Sequence, residues 1–201
     1  ITVSADLTAP SLRMEAAAGD IHLGAVAIQA DGPGAAITLL TPGAVMQDAG
    51  GLLVAPSGTT VDLIAHAPGG IALAGSGDFT LAGGMTPSGA GGERALYAND
   101  SIAFTTSGSI TVAAGVESTV AGATITLSGS AIAIEAPLTT ALAGSSITLS
   151  ATGSDAASTI TQTAAGLITT GTLNVTADGA IDLAQAANAV GVLGSMSFSD
   201  G

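Results

Sequence analysis

The sequence predicts an all-β fold, a right-handed three-sided parallel β-helix of about eight turns with roughly 22–25 residues each. Two observations predict it. A short apolar-x-apolar triplet, as at Ile125–Leu127 and Ile147–Leu149, recurs along most of the chain. Alternation with period two directs the outer residues of a triplet to one face and the middle residue to the other. The triplets also return at a nearly constant long period, which is typical of a solenoid.

The period is clearest in the second half of the chain, where the triplet starts fall into three rows. The first row is Ile102, Ile125, Ile147, Leu173 and Met196, the second is Ile110, Ile132, Ile160 and Ile181, and the third is Val120, Leu142, Ile168 and Val190. Successive members of a row are about one turn apart, and the short step from the third row to the next first-row member is nearly identical in every turn. This constancy predicts three strands per turn and inner columns of stacked side chains. The predicted columns are the first row itself and, one alternation further along each strand, Phe104, Leu127, Leu149, Val175 and Phe198.

The first half of the chain shows similar rows with longer turns. They are Leu12, Ile37 and Val61, then Ile21, Val45 and Ile71, then Ile28, Leu53 and Phe79. Val61 and Ile102 are separated by nearly two turns of chain, and the Gly- and Pro-containing stretch 83–92 between them cannot hold a strand. We therefore interpret residues 1–201 as one solenoid segment with a Gly-rich excursion near 83–100. Within that excursion, residues 93–97 are expected to fold back on the wall.

Composition fits a narrow aliphatic core. The 201 residues are 47% hydrophobic but only 2% aromatic, and Trp is absent. Stacked Ile, Leu, Val and Ala fill a β-helix, whereas a wide globular core usually needs aromatic bulk. Cysteine is also absent, which excludes a disulfide framework and a thiolate metal site.

Charge and hydropathy exclude several kinds of partner. Fifteen acidic residues stand against Arg13 and Arg94, and the net charge is −13. Nucleic-acid binding needs a basic stripe, and an anionic membrane surface attracts basic segments, so neither partner is expected. No apolar run approaches the ~20 residues that span a bilayer, so membrane insertion is not expected either.

One part of the chain resembles a known family. The segments Ile160–Thr169, Leu173–Val175, Gly179–Leu183 and Asn188–Ser195 are similar to the repeats of bacterial exoproteins of the filamentous haemagglutinin type, the two-partner-secretion adhesins. Val45–Leu53 resembles a weaker copy of the first segment. The resemblance implies a right-handed β-helix exported from a Gram-negative bacterium, with a role as adhesin, biofilm matrix fibre or delivery stalk.

The leading functional hypothesis is structural: an extracellular repeat segment of a bacterial surface fibre, filament or adhesin stalk. Neither end of the sequence shows a polar cap, which solenoids generally need. The chain is therefore expected to be a slice of a longer protein or a subunit covered by neighbours. We expect head-to-tail self-association through exposed strand edges and lateral packing through small polar faces.

The alternative hypothesis is a module that binds host or matrix glycans, or a receptor, through the loop 83–100. Arg94 and Tyr97 form the only mixed basic and aromatic pair there, and loops that leave a rigid wall often carry function. These two residues are the candidate ligand contacts.

Other chemistry is weaker in the sequence. A polysaccharide-active enzyme needs clustered carboxylates, whereas Asp62 and Asp182 lie many turns apart, so we expect no enzyme, no catalytic residue and no cofactor. His22 and His66 have no partner at metal-ligand spacing and are expected to be ordinary surface residues. An ice-binding face would need a regular Thr ladder, and diffuse binding of divalent cations to the acidic wall stays open.

Overall fold

The computed structural model describes residues 1–87, 92–141, 143–153 and 157–198. Within these ranges the chain is all-β and forms no helix. Its 23 strands belong to one sheet, and every pairing between strands is parallel. The sheet is wound into eight stacked coils, which confirms the predicted β-solenoid. Eight coils at ~4.8 Å each make a rod about 40 Å long.

The strands are short because the chain turns a corner after each one. In chain order they are β1 (Thr2–Val3), β2 (Leu7–Ala9), β3 (Leu12–Glu15), β4 (Ile21–Leu23), β5 (Ala27–Ala30), β6 (Ala36–Leu40), β7 (Val45–Gln47), β8 (Leu52–Val54), β9 (Thr60–His66), β10 (Ile71–Ser76), β11 (Asp78–Leu81), β12 (Arg94–Ala98), β13 (Ile102–Thr106), β14 (Ile110–Val112), β15 (Gly115–Ser118), β16 (Thr124–Gly129), β17 (Ile132–Ile134), β18 (Leu138–Thr140), β19 (Ser146–Ala151), β20 (Ile160–Gln162), β21 (Ile168–Ala177), β22 (Ile181–Asp182) and β23 (Ala189–Phe198).

Three strands make a coil, one on each face of the rod. From the fifth coil onward, β13, β16 and β19 stack on the first face, β14, β17 and β20 on the second, and β15 and β18 on the third. The longer strands β21 and β23 each run from the third face onto the first. Side chains alternate inward and outward along each strand, as in the buried and half-buried alternation of β16.

The core is a set of aliphatic columns that run down the rod. Ile102, Ile125, Ile147 and Leu173 are consecutive register partners on the first face, and each is at most 4% exposed. The second predicted row is confirmed in the same way, from Ile110 to Ile181. The only ring pair in the described core is Phe79 with Phe104, edge to face with centroids 5.3 Å apart. Gly75 makes room for it, since a Cβ there would lie 2.8 Å from the Phe79 ring.

The prediction for the last coil is wrong by one step. Leu173 pairs with Leu193, whereas Met196 pairs with Val175 and Phe198 with Ala177. The register shifts between Leu173 and Val175 because β23 has one extra residue between Leu193 and Met196, which is a β-bulge. Met196 therefore continues the second predicted column instead of the first, and Phe198 continues neither column.

Each first-half row is right for its first two members, but only the second row is also right for its third member. The column Ile21, Val45 and Ile71 is confirmed, but it continues directly into Ile102. Ile37 pairs with Leu63, not with Val61. Between the third and fourth coils the corners move along the chain: β8 pairs with the end of β10, and the start of β9 pairs with β11. As a result Phe79 lies over Val61 and does not extend the row of Ile28 and Leu53.

The third row also needs correction. Val120 lies beyond the end of β15 in a turn and is 51% exposed, so it is not an inward residue. Leu142 lies outside the described residues. The inward column of the third face is Val116, Leu138 and Ile168, of which only Ile168 was predicted.

The column assignment predicts a sharp contrast between neighbouring substitutions. Ile147→Asp buries an unpaired carboxylate between Ile125 and Leu173 and should cost about 4 kcal/mol or more of unfolding free energy. The control is Thr148→Asp, which points outward between Thr126 and Asn174 and should cost at most about 1 kcal/mol. Urea unfolding followed by circular dichroism measures both. Equal midpoints for the two variants would contradict the inward assignment.

Candidate functional site

The two predicted ligand contacts lie in the wall of the rod, not in a loop. Arg94 and Tyr97 belong to β12, which pairs with β9 below and β15 above. The excursion is therefore shorter than predicted and comprises residues 82–93, of which 88–91 lie outside the described residues. It returns to the wall where the Arg94 amide donates a 2.8 Å hydrogen bond to the Met85 carbonyl. The expectation that 93–97 fold back on the wall is confirmed.

Arg94 is engaged in a partly buried ion pair. Its Nε donates to Glu117 Oε2 at 2.6 Å, and the two side chains are only 15% and 19% exposed. Its aliphatic stem crosses Gly115, where a Cβ would approach Arg94 Cδ to 2.7 Å. The guanidinium also donates to the Glu93 carbonyl. Arg94 thus holds the end of the excursion and the next coil together and leaves little positive charge open to a ligand.

Tyr97 belongs to a row of outward residues on the third face. Glu15 pairs with Leu40, Leu40 with His66, and His66 with Tyr97, so the four residues lie on four successive coils. Leu40 and His66 are only 6% and 8% exposed although both point away from the aliphatic columns. Burial on the outside of a solenoid wall means that something other than the core covers these side chains.

These side chains lie in an open groove on the outside of the third face, which we call the outer groove. It has a volume of about 310 Å³. It is lined by Glu15, Ala16, Leu40, Thr41, Pro42, His66, Pro68, Met85, Pro87 and Tyr97. The excursion forms one side through Met85 and Pro87, and Gly84 lies close against Ile64 of the wall, where a Cβ would come within 2.7 Å of its Cδ1. The third-face corners form the other side through Pro42 and Pro68.

His66 is a buried neutral base in this groove and not the surface residue that the sequence predicted. Its Nε2–H donates to the Arg94 carbonyl at 3.0 Å, and its ring centroid lies 5.9 Å from that of Tyr97. Burial lowers the pKa of His66 below its ordinary value of 6.5, and the hydrogen bond to the Arg94 carbonyl opposes this effect only in part. His66 is therefore uncharged at neutral pH.

His22 fits the surface prediction better. It lies on an outward position of β4, and its Nε2 is 2.7 Å from Asp48 Oδ1 on the next coil. Both side chains are about half exposed. Within the described ranges, no three His, Asp or Glu side chains come close enough to hold a metal ion. Binding of divalent cations to the acidic wall stays a prediction.

Other outward surfaces carry mainly small polar side chains. On the first face the register places Ala72, Ala103, Thr126, Thr148 and Asn174 in one row. Two threonines in succession do not make a regular Thr array. Among the described residues, no helix has the length and apolar character to cross a bilayer.

The repeat segments singled out in the sequence have a structural role at a corner. Gln162 Nε2 donates to the Asn188 side chain at 2.7 Å and to the Gly166 carbonyl at 2.6 Å, and Asn188 returns a bond to Gln162 Oε1. Asn188 also accepts from the Ile168 amide. The amide pair joins two coils where the chain turns, so these polar side chains are engaged in hydrogen bonds within the fold.

Comparison with known protein families, with curated proteins and with solved structures finds no match to this chain.

Sequence reasoning found Tyr97 but missed Glu15, Leu40 and the two corner prolines. A signal was present. Leu40-Thr41-Pro42 and His66-Ala67-Pro68 are one coil apart, and each begins with a residue that follows an inward residue directly. Leu39 and Leu40, and likewise Ala65 and His66, are buried in succession, which breaks the period-two alternation. Such a break indicates that the outward face of the strand is covered as well as the inward face.

The lowered pKa of His66 predicts acid sensitivity of the groove. The pKa of His66 is about 6.5 in the unfolded chain and lower in the folded chain. The free energy of unfolding is therefore highest above pH 6.5, where His66 is neutral in both states. It decreases as pH falls through the folded-state pKa, because the unfolded chain binds the proton more tightly. The slope contributed by one such group is at most about 1.4 kcal/mol per pH unit. The His66→Gln variant keeps a donor for the Arg94 carbonyl and should lose this slope. Melting temperatures of wild type and His66→Gln, recorded from about pH 7.5 to about pH 5 so that the range includes the ordinary His pKa, measure this slope.

The difference between wild type and His66→Gln also separates the effect of His66 from that of Asp62. Burial raises the pKa of Asp62, so protonation of Asp62 on acidification favours the folded state. Asp62 is unchanged in both proteins and cancels in the difference. An identical pH dependence in wild type and His66→Gln would show that His66 is not a buried neutral base.

The two ion pairs offer a matched comparison. Arg94→Met leaves Glu117 largely buried without its cation and should cost about 2 kcal/mol of unfolding free energy. Arg13→Met breaks the Arg13–Glu15 pair, whose side chains are 59% and 61% exposed, and should cost less than about 0.5 kcal/mol. Urea unfolding at neutral pH compares the two. Similar losses would contradict the structural role of the Arg94–Glu117 pair.

Proposed function

We propose that this chain is a structural rod segment of an extracellular bacterial surface fibre, filament or adhesin stalk. The observation that carries the proposal is a parallel ladder that runs through all eight coils, in which each coil of the described residues pairs with the coils next to it. Such a ladder resists extension and bending because its backbone hydrogen bonds and aliphatic columns both run along the axis. Its stability is a sum of nearest-neighbour interfaces, so length can be added without redesign of a central core.

The last described coil supports growth along the axis. Val192, Leu193, Met196 and Phe198 of β23 are between 52% and 69% exposed, and the strand edge they occupy has no coil over it in the described residues. An exposed apolar strand edge is a template for another strand. The proposal is that a coil of another copy of the protein pairs there, in head-to-tail self-association. Extracellular location and export from a Gram-negative cell rest on the resemblance of the repeat segments.

Binding of a receptor or glycan is the second candidate, and the outer groove is the observation that favours it. Tyr97 lines the groove, whereas Arg94 is occupied by Glu117. The candidate binding site is thus the outer groove with Tyr97, and no longer an open loop with Arg94.

Electron microscopy and fibre diffraction of the native material test the structural proposal. We expect filaments with an axial repeat of ~4.8 Å, the spacing of stacked coils. Isolated particles without this reflection would contradict it. Deletion of residues 83–92 separates the two candidates: filaments and cell attachment should both persist for a purely structural rod, whereas attachment alone should be lost for a binding module.

A further inference from the structure

We propose that the outer groove binds an extended peptide segment of a partner protein and places an arginine or lysine side chain of that segment against Glu15. This inference rests on the second candidate function, the binding module, and is independent of the rod.

The shape of the groove fits an extended chain. Its floor consists of the register partners Glu15, Leu40, His66 and Tyr97, so the groove runs along the rod axis and crosses the strands. Three steps of ~4.8 Å give a floor about 14 Å long. An extended peptide advances about 3.3–3.6 Å per residue, so roughly four residues span the floor.

The lining favours packing over hydrogen bonding. Leu40 forms part of the floor, and Pro42, Pro68 and Pro87 stand around it together with the ring of Tyr97. Proline has no amide donor, so these walls offer mainly apolar surface. Apolar grooves lined by aromatic and proline side chains suit extended or polyproline-type segments, which lose little conformational entropy on binding.

Charge selects a cationic segment. Glu15 is the only acidic residue among the ten that line the groove, none of the ten is Lys or Arg, and Glu15 is exposed at one end of the floor. Arg13 Nη2 already lies 2.9 Å from Glu15 Oε2, which shows that a guanidinium reaches this carboxylate. Such an exposed pair is weak and exchangeable, so a peptide arginine can replace Arg13. The net charge of −13 draws cations toward the rod and repels anionic ligands.

The polar groups of the groove fit a peptide better than a saccharide. Sugar recognition needs several free donors and acceptors that converge on ring hydroxyls. The Thr41 hydroxyl donates to the Gly19 carbonyl, and His66 Nε2–H donates to the Arg94 carbonyl. Both groups are therefore already engaged, and the lining is left with few polar groups to orient a sugar.

The chain carries its own reporter for this site. Tyr97 is the only tyrosine and Trp is absent, so intrinsic tyrosine emission comes from the groove alone. The probe is a capped peptide that alternates arginine with valine and proline and has no aromatic residue. Matched peptides carry glutamine or glutamate in place of arginine. Titration of each peptide into the full chain at low ionic strength, followed by Tyr97 emission, gives the affinities.

We expect the arginine peptide to change Tyr97 emission saturably, the glutamine peptide to bind more weakly, and the glutamate peptide to have no effect. Glu15→Gln should weaken binding of the arginine peptide about three- to fivefold, as for one exposed charge contact. Glu135→Gln is the matched control, because it removes the same charge at an exposed position outside the groove and should leave the affinity unchanged.

Three results would overturn the proposal. Equal weakening by Glu15→Gln and Glu135→Gln would show general attraction to an acidic surface. Saturable emission changes with a neutral oligosaccharide but with none of the peptides would assign the groove to glycans and keep the binding function. No emission change with any probe, in a chain whose circular dichroism is intact, would remove the binding function and leave the rod.

Discussion

Every part of this molecule depends on coil-over-coil register. Each parallel ladder places a residue directly over its counterpart one coil earlier, so a column such as Ile102, Ile125 and Ile147 is one inward position repeated along the rod. A coil in isolation could not bury its triplets, because their apolar partners lie only on the coils above and below. Aliphatic burial and backbone pairing therefore act along the same axis, and a slip of one residue would turn every inward side chain outward.

Register constrains the strands but leaves the corners free to vary. The coil that contains the excursion, from Ile71 to its partner Ile102, is clearly longer than the coil from Ile125 to Ile147, yet both keep the inward column. Extra chain leaves at a corner and must then be fastened back to the wall. The Arg94–Glu117 pair and the Met85–Arg94 backbone bond do this for the excursion, and the Gln162–Asn188 amides do it near the other end of the rod. These polar contacts thus lie where the ladder alone does not position the backbone.

The same distinction explains what the sequence could predict. Period-two triplets and constant steps determine inward positions, so the columns through Ile125 and Ile147 follow from the sequence alone. The bulge between Leu193 and Met196 does not, because a single inserted residue leaves the triplet pattern visible while it moves Met196 over Val175. Nor does the shift of corners between the third and fourth coils. That shift keeps Val61 and Phe79 buried and changes only which residue each of them lies over.

The outer groove escaped sequence reasoning for a related physical reason. Outward residues of this rod are mostly small, and the large side chains of Leu40, His66 and Tyr97 depart from this pattern one at a time. Each lies on a different coil, a full coil of chain away from the next. Stacking turns these separate exceptions into one continuous strip. A solenoid can therefore hold a binding surface that no single repeat encodes, and here the strip coincides with the one described place where the chain leaves the wall and covers its outer side. The inward columns maintain the rod and the outward strip forms the outer groove, so the proposed binding role and the structural role depend on different residues.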